Sequence, residues 1–114
     1  MGKPSSLGDF ELLVSLALVR FGEHAYGMLV RGAIEERTGR VFSLGAFYAT
    51  LDRLDTYKLV RSTVGGAGAE RRGRAKRFFA VEPSGREALA RALRAIDSMR
   101  SGVAGLETGE EESS

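Results

Sequence analysis

The stretch SLGAFYATLDRL, which occupies residues 43–54, decides the fold that this sequence predicts. The serine at its start is a good helix N-cap, because a serine oxygen accepts a hydrogen bond from a backbone N–H of the first turn. Its apolar residues recur at helical spacing and are expected to point inward: Leu44, Phe47, Leu51 and Leu54. The residues expected on the outer side are Gly45, Ala46, Ala49, Asp52, Arg53 and Thr56. We therefore predict a helix over residues 44–57 that buries one face and presents mainly small side chains on the other.

Two further helices are predicted before this stretch. Residues 7–21 form the first, whose apolar side chains lie nearly all around its axis, so that it requires cover on more than one side. Residues 27–38 form the second, which has a single apolar stripe. Gly22 and Gly39 are expected to end these helices, Gly39 in the left-handed conformation that is typical of a C-terminal cap.

Two short strands are predicted after the stretch, over residues 59–64 and 75–81. The segment between them is too long for a two-residue turn and is rich in glycine and arginine. Glu70 is the only acidic residue between Arg61 and Arg77, so the hairpin is strongly basic. The cations at or near its tip are Arg71, Arg72, Arg74 and Lys76.

A final helix is predicted over residues 83–106. Pro83 prevents continuation of the strand, and Ser84 with Glu87 fits a capping box at the start of the helix. Its apolar residues follow one another at steps of three and four, as in a coiled-coil seam: Leu89, Ala92, Ile96, Met99, Val103 and Leu106. We interpret this helix as a dimerisation element that acts together with the first helix, which contributes Leu13. The alternative is a helix that packs only on its own domain.

Composition restricts the class of protein. The chain has 114 residues, of which 43% are hydrophobic and 28% charged, and this suits one globular domain. It has no cysteine, which excludes disulfides, thiolate catalysis and thiolate-bound zinc. The single histidine, His24, is interpreted as structural or solvated. We identify no catalytic residue, metal ligand or cofactor site and expect a non-enzyme, since the glycines near residue 65 lack the lysine and the strand-to-helix context of a phosphate-binding loop.

The predicted organisation is a winged-helix domain over residues 7–82, followed by the dimerisation helix. Residues 1–6 are expected to be a flexible lead-in, and the acidic residues 107–114 a disordered tail. The longest apolar run, residues 12–19, is too short to cross a membrane. No secretion signal is recognised, so we expect a cytoplasmic protein without a membrane partner.

The order of helix, helix, turn, helix and basic hairpin is typical of a winged helix-turn-helix, so the predicted fold is mainly α with a small β-hairpin. The third helix can enter the major groove of double-stranded DNA, and its small residues allow the backbone to come close. The cations of the hairpin suit contacts with phosphates. The residues expected on these grounds to contact DNA are Gly45, Ala46, Ala49, Arg53, Arg71, Arg72, Arg74 and Lys76.

Over residues 7–106 the sequence resembles the PadR family of transcriptional regulators. The resemblance implies a winged-helix homodimer that represses transcription by binding an operator, and it places Ser43 and Tyr48 near DNA phosphates. The segments that carry it are LGDFE (residues 7–11), AYG (25–27), SLGAFYATLDRL (43–54), GRAKRFF (73–79) and PSGREAL (83–89).

Two positions depart from the usual pattern of that family. It usually has glycine where Lys58 stands, which leaves the geometry after the third helix open, and many members have proline where Ala49 stands, which leaves operator preference open. Phe78 and Phe79 point to opposite faces of a strand, so one of them is expected in the core. Some members bind flat aromatic drugs between their terminal helices. This chain has no tryptophan and no aromatic residue after Phe79, so we expect no such stacking pocket, and a small-molecule effector is not identified.

One other function remains open: a winged helix that binds a protein partner and never contacts DNA. The basic hairpin argues against it, because protein interfaces have no special need of a cationic loop. Retention on heparin with a steep salt dependence distinguishes the two functions.

Overall fold

The computed structural model describes residues 7–65 and 76–106 of the chain. In these residues, helices and strands follow one another in the order that the sequence predicts. They are α1 (Asp9–Phe21), α2 (Gly27–Thr38), α3 (Leu44–Thr56), β1 (Val60–Gly65), β2 (Lys76–Val81) and α4 (Pro83–Arg100), with a short 3-10 turn over Gly22–His24. The expected fold class, mainly α with a small antiparallel hairpin, is confirmed.

Three of the predicted helix-end signals are confirmed. Gly22 ends α1 with a φ of 58° and donates its N–H back into the helix. Gly39 ends α2 in the left-handed conformation, with a φ of 74°, and donates to the Glu35 carbonyl. Ser43 caps α3, since its Oγ accepts the Ala46 N–H at 3.0 Å. These signals are local, so the bounds of the first three helices agree with the prediction to within two residues.

The core lies between the first three helices and the hairpin. Phe47, Leu51 and Leu54 of α3 are buried as predicted. Phe79 is buried and Phe78 is half-buried, so one member of that pair lies in the core as expected. The other buried members of the core are Val14, Ala17, Leu18, Ala25, Val30, Ile34, Phe42, Leu59, Val60 and Ala88.

Leu44 does not point into the core, although the sequence predicts that it does: it is 50% exposed. The buried face of α3 is centred on Phe47, Leu51 and Leu54. Leu44 lies at the edge of that face and in the first helical position. The buried side chain at this end of α3 is that of Phe42, two residues earlier in the turn. Helical spacing assigns a residue to a face of the helix. It does not indicate which side chain fills the core where the helix begins, and the prediction is wrong for that reason.

The hairpin contacts the segment that precedes α2 through its backbone and through packed rings. The Phe79 N–H donates to the Ala25 carbonyl at 2.8 Å, and Tyr26 forms an isolated β-bridge with Phe78. The rings of Tyr26 and Phe78 also pack edge-on, with centroids 5.9 Å apart. The base of the hairpin therefore has a fixed position relative to the start of α2.

Lys58 forms the exit from α3 in a backbone conformation that favours glycine. With a φ of 63°, it is the only non-glycine residue of positive φ in the described ranges. Its carbonyl accepts a hydrogen bond from Ser84 Oγ at 2.8 Å, which ties the turn to α4. The turn after α3, whose geometry the sequence left open, thus has a backbone conformation that glycine adopts without strain. Lysine adopts it here at some cost in stability.

The capping box predicted from Ser84 and Glu87 is wrong. α4 begins at Pro83, with Glu82 as an N-cap residue whose side chain makes no capping hydrogen bond. Proline is favoured in the first turn because it has no N–H to satisfy there. Ser84 therefore lies inside the helix, and its hydroxyl bonds the Lys58 carbonyl instead.

α4 ends at Arg100, six residues before the predicted end at residue 106. Gly102 and Gly105 have φ values of 82° and 84°, and turns follow the helix. The apolar seam predicted over residues 89–106 therefore has a buried part and an exposed part. Leu89 and Ala92 are buried in the chain's own domain, as the alternative interpretation of this helix predicts. The later members are exposed in the single chain: Ile96, Met99, Val103 and Leu106.

Replacing Gly85 by alanine tests the contact between α4 and the exit of α3. An added Cβ would lie 2.1 Å from the Leu59 carbonyl oxygen, which already accepts the Glu82 N–H. Because this neighbour is a backbone atom, it cannot move aside cheaply. We expect Gly85→Ala to lower the free energy of unfolding by about 1–3 kcal/mol. Urea unfolding followed by circular dichroism measures the change.

The matched control is Gly32→Ala on the exposed side of α2, where an added Cβ meets nothing within 4 Å. The higher helix propensity of alanine should raise the free energy of unfolding there by about 0.5–1 kcal/mol. Equal effects of the two substitutions would contradict the packing described around Gly85.

Candidate nucleic-acid interface

A buried aromatic residue sets the angle between α2 and α3. Phe42 lies in the turn that joins them and is 2% exposed. Its ring centroid is 3.9 Å from that of Phe10 and 6.1 Å from that of Phe47. Its carbonyl accepts a hydrogen bond from Arg31 Nε at 3.0 Å. α2, the turn and α3 therefore form a helix-turn-helix in which α3 is oriented by packing on α1 and by a bond from α2.

The outward side of α3 is made of small residues. Gly45 and Ala49 are exposed, and Ala46 is half-buried. An added Cβ at Gly45 would meet nothing within 4 Å. The structure thus brings together the small residues that the sequence predicts for the interface, and another molecule can come close to the backbone at Gly45.

Tyr48 is held at the flank of α3 by a glycine of α2. Its ring packs edge-on against Phe47, with centroids 5.1 Å apart. Its hydroxyl lies so close to Gly27 that an added Cβ there would be 2.1 Å from Oη. The role of Gly27 was not predicted. It occupies the first position of α2, where a glycine is not unusual in a sequence, so no local signal indicates its contact with Tyr48.

Arg53 is already paired within the chain. Its Nε lies 3.1 Å from Glu11 Oε2, and its Nη2 lies 3.3 Å from Thr50 Oγ1. The Glu11 side chain is only 13% exposed, whereas that of Arg53 is 49% exposed. Glu11 Oε1 also accepts the Gly8 N–H at 2.7 Å. Glu11, which the sequence shows only as part of the segment LGDFE and which was assigned no role, thus connects the start of α1 to α3.

A second ion pair lies beside the first. Arg40 Nη2 is 2.7 Å from Asp9 Oδ2, and its guanidinium lies 5.1 Å from the centroid of the Phe10 ring. The hydrogen bond to Asp9 and the charge of Asp9 raise the pKa of Arg40. The two ion pairs line a cavity of about 290 Å³, in which the carboxylates of Asp9 and Glu11 neutralise Arg40 and Arg53.

The predicted hairpin cations are only partly within the described residues. Arg71, Arg72 and Arg74 lie outside them, and Lys76 begins β2. In the described part of the strands, Arg61 Nη1 lies 3.2 Å from Glu82 Oε1, with 57% of the arginine side chain exposed. The Arg77 guanidinium lies 5.1 Å from the centroid of the Phe79 ring. Cationic side chains therefore accompany the hairpin as far as it is described.

The residues predicted for dimerisation fall into three environments. Leu89 and Ala92 are buried within the chain. Leu13 is half-buried and lines an apolar groove of about 380 Å³ between α1 and α2. The exposed members are Ile96, Met99 and Val103, with 45%, 79% and 42% exposure. The described chain thus leaves uncovered a groove and an apolar strip that begins on α4 with Ile96 and Met99 and continues to Val103 in the turns after it.

Over residues 7–65 and 76–106, no group of three or more histidine, aspartate or glutamate side chains is placed to hold a metal ion. No helix in these ranges is long and apolar enough to cross a membrane.

The fold has counterparts among solved structures, although no protein-family model and no curated protein sequence matches the chain. A PadR family transcription regulator from Clostridium difficile R20291 has a TM-score of 0.65 at 19% identity, covering 81% of this chain and 94% of that one. A PadR family transcriptional regulator from Eggerthella lenta DSM 2243 has a TM-score of 0.65 at 21% identity, covering 82% and 80%. RosR from H. salinarum has a TM-score of 0.65 at 23% identity, covering 86% and 81%. The chain therefore has the winged-helix fold of PadR-family transcription regulators, as the resemblance in its sequence implies.

Proposed function

We propose that this chain is a cytoplasmic, sequence-specific DNA-binding transcription regulator, which acts as a homodimer and represses transcription from a pseudo-palindromic operator. The observation that carries the proposal is the outward side of α3, where small residues stand in a helix-turn-helix beside a hairpin of basic sequence. The fold that it shares with solved PadR-family regulators supports the proposal.

The small residues support entry of α3 into the major groove. The groove is about 12 Å wide, and an α-helix with its side chains is about 10–12 Å across, so bulky outward side chains would hold the helix away from the bases. Gly45, Ala46 and Ala49 keep this side of α3 thin. Ser43 Oγ accepts the Ala46 N–H, and its own O–H can still donate to a phosphate oxygen.

Arg53 can contribute without leaving Glu11. A guanidinium has five N–H donors, and Glu11 is bonded through Nε. The Nη groups can therefore donate to a phosphate while Nε keeps α3 attached to α1. This geometry favours a phosphate over a base edge as the partner of Arg53.

The hairpin supplies most of the charge. Its basic segment begins at Arg61 and ends at Arg77, both of which are exposed. Arg71, Arg72, Arg74 and Lys76 come between them in the sequence. Contacts with phosphates depend on charge more than on fixed geometry, so a cationic hairpin beside α3 is suited to the DNA backbone.

The uncovered apolar strip that begins on α4 supports a dimer. Ile96, Met99 and Val103 are exposed in one chain, and a second copy offers the same strip together with the groove beside Leu13. A dimer presents two copies of α3, which suits two half-sites about one helical turn apart. A regulator bound across such a site obstructs the access of other proteins to the DNA.

Replacing Ala49 by tryptophan tests α3 as the reading element. Ala49 is exposed, whereas Ala46 is half-buried, so the bulk at residue 49 should leave the fold intact. We expect Ala49→Trp to weaken operator binding at least tenfold, because the indole cannot fit between the helix and the base edges. Fluorescence anisotropy with a labelled operator measures the affinity. Ala49→Ser is the control and should bind nearly as the parent does; a folded tryptophan variant with parental affinity would contradict the assignment.

Replacing Arg72 and Arg74 by alanine tests the hairpin. Each phosphate contact contributes about 0.9 to the slope of log affinity against log salt. The double variant should bind operator and random DNA more weakly and should flatten that slope by roughly one unit per lost contact in each subunit. Its thermal stability should change little.

The matched control for the hairpin is Arg91→Ala with Arg94→Ala, which removes the same charge from the exposed side of α4. It should leave the salt slope nearly unchanged. The hairpin does not touch phosphates if both double variants keep the slope of the parent. The proposed function itself fails if the parent binds no DNA at low salt.

Replacing Ile96 and Met99 by glutamate tests the dimer. Both residues are exposed in the single chain, so the charges should not disturb its own fold. In a dimer the two glutamates would be buried without partners. Burying even a neutral polar group without a hydrogen bond costs about 1–3 kcal/mol, and burying a charged group costs more. Sedimentation should therefore show monomers. Arg91→Glu with Ser98→Glu, on the same helix but off the seam, should remain dimeric; an unchanged dimer in the first variant would place the interface elsewhere.

A further inference from the structure

The exposed side chains where α3 begins are apolar. Val41 is 64% exposed in the turn before α3, and Leu44 is 50% exposed in its first position. Ala49 is exposed about one and a half turns further along the helix. A single exposed leucine has little meaning. Here, however, the exposed apolar side chains lie on the part of the molecule that the proposed function directs at the base pairs.

The polar side chains nearby have contacts within the chain, and the donors that Ser43 and Arg53 keep free suit phosphates rather than base edges. Ser43 Oγ accepts the Ala46 N–H, the Tyr48 hydroxyl lies against Gly27 of α2, and Arg53 is bonded to Glu11. Asp52 is exposed on the same side, but a carboxylate accepts from cytosine or adenine amino groups and repels phosphates. The first two turns of α3 therefore present methyl and methylene groups, with few hydrogen-bond donors that could reach a base.

The composition of the whole chain further limits the bases that its side chains can recognise. Asparagine and glutamine are the side chains that bind adenine bidentately in the major groove, and this chain contains neither. The chain therefore has no side chain for bidentate recognition of adenine, and the thymine is the base of an A·T pair that an apolar side chain can distinguish. The group that distinguishes thymine for an apolar side chain is its C5-methyl.

We propose that Leu44 and Ala49 read thymine methyl groups, so that each operator half-site carries thymines where α3 enters the major groove. The inference rests on the proposed function and adds the class of base that is recognised. The basic sequence of the hairpin favours DNA over an apolar protein as the occupant of this surface, because β1 of the hairpin contacts α3 and the hairpin carries the cations suited to phosphates.

The test removes methyl groups without changing base pairing. The full-length chain selects a duplex from a random-sequence library, and each thymine of the selected duplex is then replaced by uracil, one position at a time. We expect binding to weaken about fourfold for each contacted methyl group, from the apolar surface that the contact buries. Uracil outside the half-sites should have no effect and serves as the internal control.

Two variants assign the effect to the protein. Leu44→Ala should lose affinity for the thymine duplex and should reduce the uracil effect at one position of each half-site to less than twofold. Leu44→Met, which keeps an apolar side chain of similar length, should preserve that effect. Because Leu44 is half exposed, neither change should prevent folding.

The outcomes separate this inference from the function on which it rests. If the parent binds the selected duplex with the expected salt dependence but tolerates uracil at every position, thymine readout is wrong and the DNA-binding function stands. If Leu44→Ala keeps both the affinity and the uracil effect of the parent, the apolar patch serves another partner, such as a protein, and the inference is overturned. If the parent binds no duplex at low salt, both proposals fail.

Discussion

Phe47 is fully buried, and its ring packs edge-on against Phe42 of the preceding turn and against its helical neighbour Tyr48. Burial of one side chain fixes the rotation of a helix about its axis, because every other residue then has a set direction. With Phe47 inward, Gly45 and Ala49 face outward. The thin outward side of α3 is therefore a consequence of core packing.

The parts of the fold that could be predicted depend on neighbours in sequence. The bounds of α2, Gly27–Thr38, match the prediction because Gly39 ends the helix through its own backbone. The parts that could not be predicted depend on distant partners. Leu44 is exposed because it lies at the edge of the buried face of α3, where Phe42 of the preceding turn fills the core. Ser84 donates to the Lys58 carbonyl, 26 residues away, and does not cap α4.

The candidate site likewise has features that could be predicted from neighbours in sequence and features that could not. The small residues of α3 could be predicted to share one side, because helical spacing places them there. The pairing of Arg53 with Glu11 could not, since 42 residues separate them and no local pattern connects the start of α1 to the end of α3. The approach of Tyr48 to Gly27 is likewise visible only once α2 and α3 are packed together.

Because of these long-range pairs, different parts of the proposed interface contribute to DNA binding in different ways. Asp9 and Glu11 neutralise Arg40 and Arg53, so these two arginines add little net charge beside α3. On our proposal, the hairpin then supplies the electrostatic affinity, while α3 supplies shape and apolar contacts. Counterion release acts on operator and random DNA alike, whereas methyl contacts exist only at the operator. It follows that salt should change the affinity for both kinds of DNA far more than it changes the ratio between them.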